Sequence, residues 1–170
     1  MVTLDNPIAS AAFDPAASTL REEHPEDETF LRRLYASTRT EEMACVPWSD
    51  EQKTAFLDMQ FDLQRAHYRS YHPQGEFKIV LIGPRPAGRF YLDRSGEAFL
   101  VIDIALSPEY RGLGVGGHLL ENLLAEARVA STPVRLHVEP YGRALRLYQR
   151  LGFTPIEVQG IRWLMEWKPG

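Results

Sequence analysis

The chain lacks most of what would tie it to a membrane, a metal or an oxidising compartment. Its single cysteine, Cys45, excludes an internal disulfide and any multi-cysteine metal site. No apolar run is long enough for a signal peptide or a membrane span, so no membrane partner is expected and a cytoplasmic location is. Lysine and arginine form no block: 19 of them stand against 23 acids, a net charge of −4, and no nucleic-acid partner is implied. His24, His67, His72 and His118 are scattered without the spacing of a ligand set, so no metal is expected. Trp48, Trp163 and Trp167 have no basic stripe beside them and read as core or pocket wall rather than a stacking platform for bases. Repeats and low-complexity segments are absent as well.

What is present suffices for one core, with 44% of residues hydrophobic. Residues 1–17 show no period and carry two prolines, which predicts an extended arm or an expression scar; residues 18–170 read as a single domain. A short strand at 18–24 precedes an amphipathic helix at 25–39, with Phe30, Leu31 and Leu34 on one face. A Ser-x-x-Gln capping box opens the longest helix, 49–71. Strands are expected at 76–83, 88–94, 97–107, 134–140, 153–159 and 161–168, and further helices at 114–130 and 142–152. Along 134–140, Val134, Leu136 and Val138 take one face and Arg135, His137 and Glu139 the other.

Gly112, Gly114, Gly116 and Gly117 crowd the stretch "SPEYRGLGVGGHLL" (107–120) between a strand and a helix. Glycine lets backbone N–H groups approach an anion, and a helix start favours negative charge, so the loop suits a phosphate. A Walker loop is excluded because no lysine lies near. A dinucleotide fingerprint is met formally by Gly112, Gly114 and Gly117, with Glu139 ending the next strand. Against it, "SPEYR" separates strand from glycine, and too little chain follows Glu139 for the remaining units of such a domain. A turn needed only for tight strand–helix packing is the plainer alternative.

Residues Arg111 to Gly116 match Arg/Gln-x-x-Gly-x-Gly/Ala, and "ALRLYQRLGF" (144–153) reads Ala-x-x-Leu-Tyr-x-x-x-Gly-Phe. With the strand "IDIALSPEY" before the loop, these motifs resemble the GCN5-related N-acetyltransferase (GNAT) superfamily over residues 76–167, and the helices at 25–39 and 49–71 suit its variable acceptor side. The resemblance implies an α/β (α+β) fold: a mixed, twisted sheet of six to seven strands with splayed central strands, flanked by about four helices. It implies acetyl-CoA as co-substrate, a small-molecule or peptide amine as acceptor, and direct transfer in a ternary complex, and it leaves room for a homodimer. A non-catalytic acyl-CoA-binding or regulatory module on the same fold is the rival from another class.

By that resemblance Arg111, Gly112, Leu113, Gly114, Val115, Gly116 and Gly117 surround the pyrophosphate, and the backbone of Ile104, Ala105 and Leu106 pairs with the pantetheine amides. Tyr148 holds the family's Leu-Tyr position near the sulfur, as proton donor to the leaving thiolate, with a packed helix tyrosine as the alternative. His137 occupies a place where some members carry a glutamate base, and histidine titrates near neutrality; it could equally be held in the sheet or line the acceptor pocket. Asp103, an acid inside an apolar strand, is the second candidate base, or a brace for a loop. Many relatives carry an asparagine where Tyr141 or Gly142 stands; this chain has none, and backbone N–H groups at the helix start could replace that contact to the cofactor chain. For the acceptor, Glu41, Glu42 and Asp50 beside Met43 and Trp48 suit a cationic amine, although acids on a short loop are common surface and capping groups.

Overall fold

Element boundaries follow local chemistry in the computed structural model, which describes residues 13–170. Strand β1 (Ser18–Glu22) is followed by a 3-10 turn at Pro25–Asp27 and helix α1 (Glu28–Thr38). The turn is tied down by Asp27, whose carboxylate accepts two bonds of 2.8 Å from Arg21 and one of 2.7 Å from the His24 N–H. These contacts hold Asp27 well below the usual carboxylate range, the Arg21 bond being the largest cause. A short helix α2 (Thr40–Ala44) then occupies the segment expected as a loop, because Met43 gives it one buried anchor. Helix α3 (Asp50–Tyr71) starts on the predicted box: Gln52 N–H donates to Ser49 Oγ at 3.2 Å and Ser49 N–H to Gln52 Oε1 at 3.0 Å.

Strands β2 (Glu76–Ile82) and β3 (Arg85–Asp93) form a hairpin with a register shift between Val80 and Leu81. β3 begins earlier than the sequence pattern indicates, since Pro86, which has no N–H to give, is accommodated opposite Leu81 at that irregularity. β4 (Phe99–Leu106) leads through the glycine loop to α4 (Val115–Val129); β5 (Val134–Val138), α5 (Arg143–Leu151), β6 (Thr154–Gln159) and β7 (Arg162–Trp167) complete the chain. The seven strands lie in the order β1-β2-β3-β4-β5-β7-β6, with β4 and β5 parallel and all other neighbours antiparallel. Among the described residues this is a mixed α/β sheet with five helices, one more than expected, the addition being α2.

The two faces carry separate cores. Leu119, Leu120, Leu123 and Leu124 of α4 and Tyr148 of α5 pack with Val101, Leu136, Val138 and Met165 on one face. Leu31, Leu34 and Tyr35 of α1 and Phe61 of α3 pack with Ile79 on the other. Strand β3 reaches β4 closely only because residue 88 is glycine: a Cβ there would overlap the Ala105 carbonyl. Of the predicted arm, residues 1–12 lie outside the described residues; Phe13 packs on the α4 core and Pro15–Ala17 form a 3-10 turn.

Candidate active site

Strands β4 and β5 pair only from Phe99–Val134 to Val101–Leu136. Beyond that point β3 keeps β4 as far as Leu106 and β7 keeps β5 as far as Val138, so the two central strands part and a wedge opens between them. The β3–β4 register skips Ile102, and this irregularity sits where the parting starts. Past it, Ile104 and Leu106 pack toward α4 and α5, while Ala105 packs toward α1 and α3. The backbone of Ile104, Ala105 and Leu106 therefore has β3 on one edge and no strand on the other.

At the wide end stands the glycine loop. Gly112 and Gly114 have φ of 72° and 88°, which only glycine adopts freely, and they turn the chain into α4. Val115 is fully buried and anchors the first turn, Leu113 is half-buried, and Gly114 as N-cap provides no side-chain partner for the helix N–H groups. A Cβ on Gly116 would lie 3.9–4.0 Å from Ile104, Leu106 and Leu147, an ordinary contact, so these glycines are not forced by packing alone. Arg111 folds back instead of projecting outward: Nε donates to the Leu106 carbonyl at 2.9 Å and Nη2 to Ser37 Oγ at 3.0 Å. The bare helix start, the open β4 edge and the adjacent guanidinium fit an anionic chain laid into the wedge.

Tyr148 and Asp103 flank the wedge from opposite faces, near enough for the carboxylate charge to be felt at the phenol. The Tyr148 ring is buried beside Phe153, with centroids 5.9 Å apart. Burial, then the negative charge of Asp103, pushes its phenol up to about 12. Asp103 leaves the sheet on the α3 side and forms an ion pair with Arg89 Nη2, which also donates to Gln64 Oε1 of α3 at 2.7 Å. Burial likewise raises Tyr68 and Tyr91, the neighbouring phenols, and Asp103 adds to both shifts.

His137 lies apart from this pair. It alternates with the buried Val134, Leu136 and Val138 as expected, and it lines an open groove of about 450 Å³ that also touches Leu100, Leu164, Glu97 and Arg135 but neither Asp103 nor Tyr148. Gln159 Nε2 donates to Glu157 Oε2 at 3.2 Å, so its carbonyl end faces His137 Nε2 at 2.8 Å. A carbonyl only accepts; Nε2 thus carries the proton in the neutral ring, and Nδ1 keeps the lone pair.

The acceptor candidates stand on and beside α2. Glu41 and Glu42 occupy its first turn, and Glu42 pairs with Arg39 at 2.8 Å. Trp48 is half exposed and meets Phe56 edge-on at 5.3 Å. Arg89, Gln64 and Tyr68 escaped the sequence reading. The signal was an arginine inside the apolar strand "GRFYL", where a buried charge must have a partner. Among the described residues no three His, Cys, Asp or Glu side chains group for a metal, and no helix is long and apolar enough to cross a membrane.

Solved structures share this architecture. An N-acetyltransferase, PaiA, from Thermoplasma acidophilum, crystallised with coenzyme A, superposes with a TM-score of 0.66 at 18% identity over 89% of this chain and 98% of its own. PH1933 from Pyrococcus horikoshii gives 0.64 at 16% identity, covering 90% and 99%. The ribosomal-protein-S18-alanine N-acetyltransferase of Escherichia coli gives 0.59 at 17%, covering 90% and 94%. At such identities the likeness speaks for the fold. A comparison with curated protein sequences returned no match. The sequence model described as the acetyltransferase (GNAT) family matches residues 29–153, which contain β4, the glycine loop and Tyr148, and the chain belongs to that family.

Proposed function

We propose that the protein is an N-acetyltransferase that moves an acetyl group from acetyl-CoA to a primary amine by direct transfer within a ternary complex. The observation that carries this reading is the parting of β4 and β5 into a wedge with the bare start of α4 at its mouth and Tyr148 and Asp103 on its two faces. Acetyl-CoA supplies the acetyl group as a thioester and departs as the free thiol. The first-turn N–H groups of α4 and Arg111 hold its phosphates, and the open edge of Ile104, Ala105 and Leu106 orients the chain that leads inward.

The acceptor arrives as an ammonium and must lose a proton before its nitrogen can attack. His137 lies in a groove that touches neither Tyr148 nor Asp103, so its Nδ1, the ring atom left with a lone pair, takes that proton through water. As the new C–N bond forms and the C–S bond breaks, the nitrogen gives its second proton to water and the Tyr148 hydroxyl gives its own to the sulfur, later regaining one from solvent; the one proton released overall is that taken by His137. The raised phenol serves this role because it remains protonated at any physiological pH.

Incubation with acetyl-CoA and an amine panel (putrescine, spermidine, lysine, an aminoglycoside, an alanine-led hexapeptide), read by thiol release and product mass, tests the reading. Thiol release with one acetylated product is the expected result. Thermal stabilisation by acetyl-CoA with no turnover across the panel would favour the non-catalytic acyl-CoA module, and stabilisation by NAD(P) instead would favour a dinucleotide enzyme.

A further inference from the structure

Arg89 has no role in the reaction as written, yet its position is costly. It lies on β3 opposite Ala105, retains 4% exposure, and carries a full charge into the layer between the sheet and α3. Its Nε is buried without a hydrogen-bond partner. A chain that needed only packing there would use an apolar side chain, since a buried ion pair is rarely the most stable choice. The guanidinium is fixed from several sides: Gln64 of α3 accepts from Nη2, and the rings of Tyr68 and Tyr91 lie 6.0 and 5.1 Å from its carbon.

The result of this fixing is felt at Asp103. The ion pair runs from Nη2 to Oδ2; Oδ1 has no hydrogen-bond partner among the described residues, and the side chain keeps 23% exposure. Arg89 contacts this carboxylate, and its charge is felt at the phenols of Tyr91 from β3, Tyr68 from α3 and Tyr148 from α5, with Arg162 of β7 and Tyr35 of α1 also acting on Tyr68. Arg89 is the one cation in direct contact with it among the described residues.

The geometry points to Arg89 as a positioning residue of the transfer site: by clamping one oxygen of Asp103 it presents the other to the wedge, where that oxygen receives the acceptor's ammonium beside Tyr148. Neither residue makes or breaks a covalent bond. Asp103 thereby contributes to acceptor binding, and proton removal is left to His137 or water. This rests on the acetyl-transfer reading and adds to it the site that holds the cationic end of the acceptor.

The test uses Arg89→Met, Arg89→Lys, Asp103→Asn and the double variant Arg89→Met/Asp103→Asn, with spermidine and the alanine-led hexapeptide as acceptors and acetyl-CoA affinity measured by calorimetry. Arg89→Met should raise the acceptor KM at least tenfold and change acetyl-CoA affinity less than twofold. Arg89→Lys, which restores the charge without the planar fork, should recover part of that KM. In the Asp103→Asn background the Arg89 substitution should add less than about twofold, because both act through one carboxylate. A folded Arg89→Met protein with wild-type KM overturns the proposal, as does an undiminished effect in the Asp103→Asn background. Should Arg89→Met fail to fold, wild-type KM in Arg89→Gln, or an Arg89→Lys KM no better than that of Asp103→Asn, overturns it. The acceptor probes are replaced by whichever panel amine is turned over, and a wild-type protein that acetylates no amine of the panel removes the transfer reading, and this inference with it.

Discussion

The guanidinium of Arg111 is bonded back onto the carbonyl of Leu106 at 2.9 Å, joining the residue that leads the glycine loop to the last residue of β4. Its second bond, to Ser37 Oγ, ties the end of α1 to the same point. Arg111 therefore shapes the mouth of the wedge as well as charging it. Arg111→Ala should weaken acetyl-CoA binding by roughly tenfold or more, the usual size for a charged hydrogen-bonding group. Ser37→Ala, which frees α1 and keeps the charge, should cost less. Calorimetry at low and high salt separates the two contributions, and the salt dependence should be shallower in Arg111→Ala alone.

Gly116 offers a cleaner probe of the phosphate site than Gly114. At Gly114 any side chain faces a φ of 88° and would stand 3.1 Å from Pro15 Cγ, so loss of binding there mixes with backbone strain. At Gly116 a Cβ meets its neighbours at 3.9–4.0 Å and φ is not positive. Gly116→Asp should keep its fold by circular dichroism and lose acetyl-CoA binding through like-charge repulsion. Unchanged affinity in a folded Gly116→Asp protein removes the phosphates from the start of α4.

Tyr148→Phe should lower kcat by roughly 10²-fold, the common size of a general-acid contribution, and change acetyl-CoA affinity little. The same substitution has a second signature. The folded phenol is pushed up to about 12 from 10.0, so between these values the unfolded chain releases a proton that the folded chain keeps. Stability then falls as pH rises through that window, by up to about 3 kcal/mol for this group. Tyr148→Phe should show a shallower decline of Tm between pH 10 and 11.5. An equally steep decline leaves the phenol outside the buried site.

Periodicity and capping made most of the fold legible. The α3 box and the β5 alternation appear in the structure at the residues where the pattern put them, because each depends on neighbours within one or two turns. The helix α2 was not legible: five residues with one buried side chain carry too little pattern to separate from a loop. The glycine loop announced the mouth of the wedge, whereas its inner wall depends on partners distant in sequence. Arg89 and Asp103 come together only through β3–β4 register, and Gln64 joins them from a helix that local pattern describes merely as amphipathic.

The chain Glu157–Gln159–His137 predicts a tautomer effect. Gln159→Leu removes the acceptor that holds the proton on His137 Nε2, and Glu157→Gln removes the group that orients the Gln159 amide. If His137 sets the acidic limb of the rate profile, His137→Gln should flatten that limb, and Gln159→Leu should lower kcat several-fold with acceptor KM little changed. Loss of the limb in Asp103→Asn, with His137→Gln unchanged, would transfer the base role to Asp103.

Glu41 and Glu42 differ in a way that makes their contribution to the acceptor separable. Both lie in the first turn of α2, where a negative charge stabilises the helix start, but only Glu42 is paired, through Arg39, which in turn donates to the Tyr35 hydroxyl at 2.8 Å. Neutralising Glu42 releases the Arg39 cation toward an incoming amine; neutralising Glu41 removes a negative charge and leaves that pair intact. If this edge attracts a cationic acceptor, Glu41→Gln should raise the KM for spermidine by a few-fold at low ionic strength, and Glu42→Gln should raise it more. Both effects should shrink in 0.5 M salt, where exposed charges are screened within about 4–5 Å. Acetyl-CoA affinity should stay unchanged in both, since the phosphate site proposed for it lies at the start of α4. Wild-type KM in both variants at low salt would leave these acids as helix-start groups and leave recognition of the amine to Asp103 and the groove beside His137.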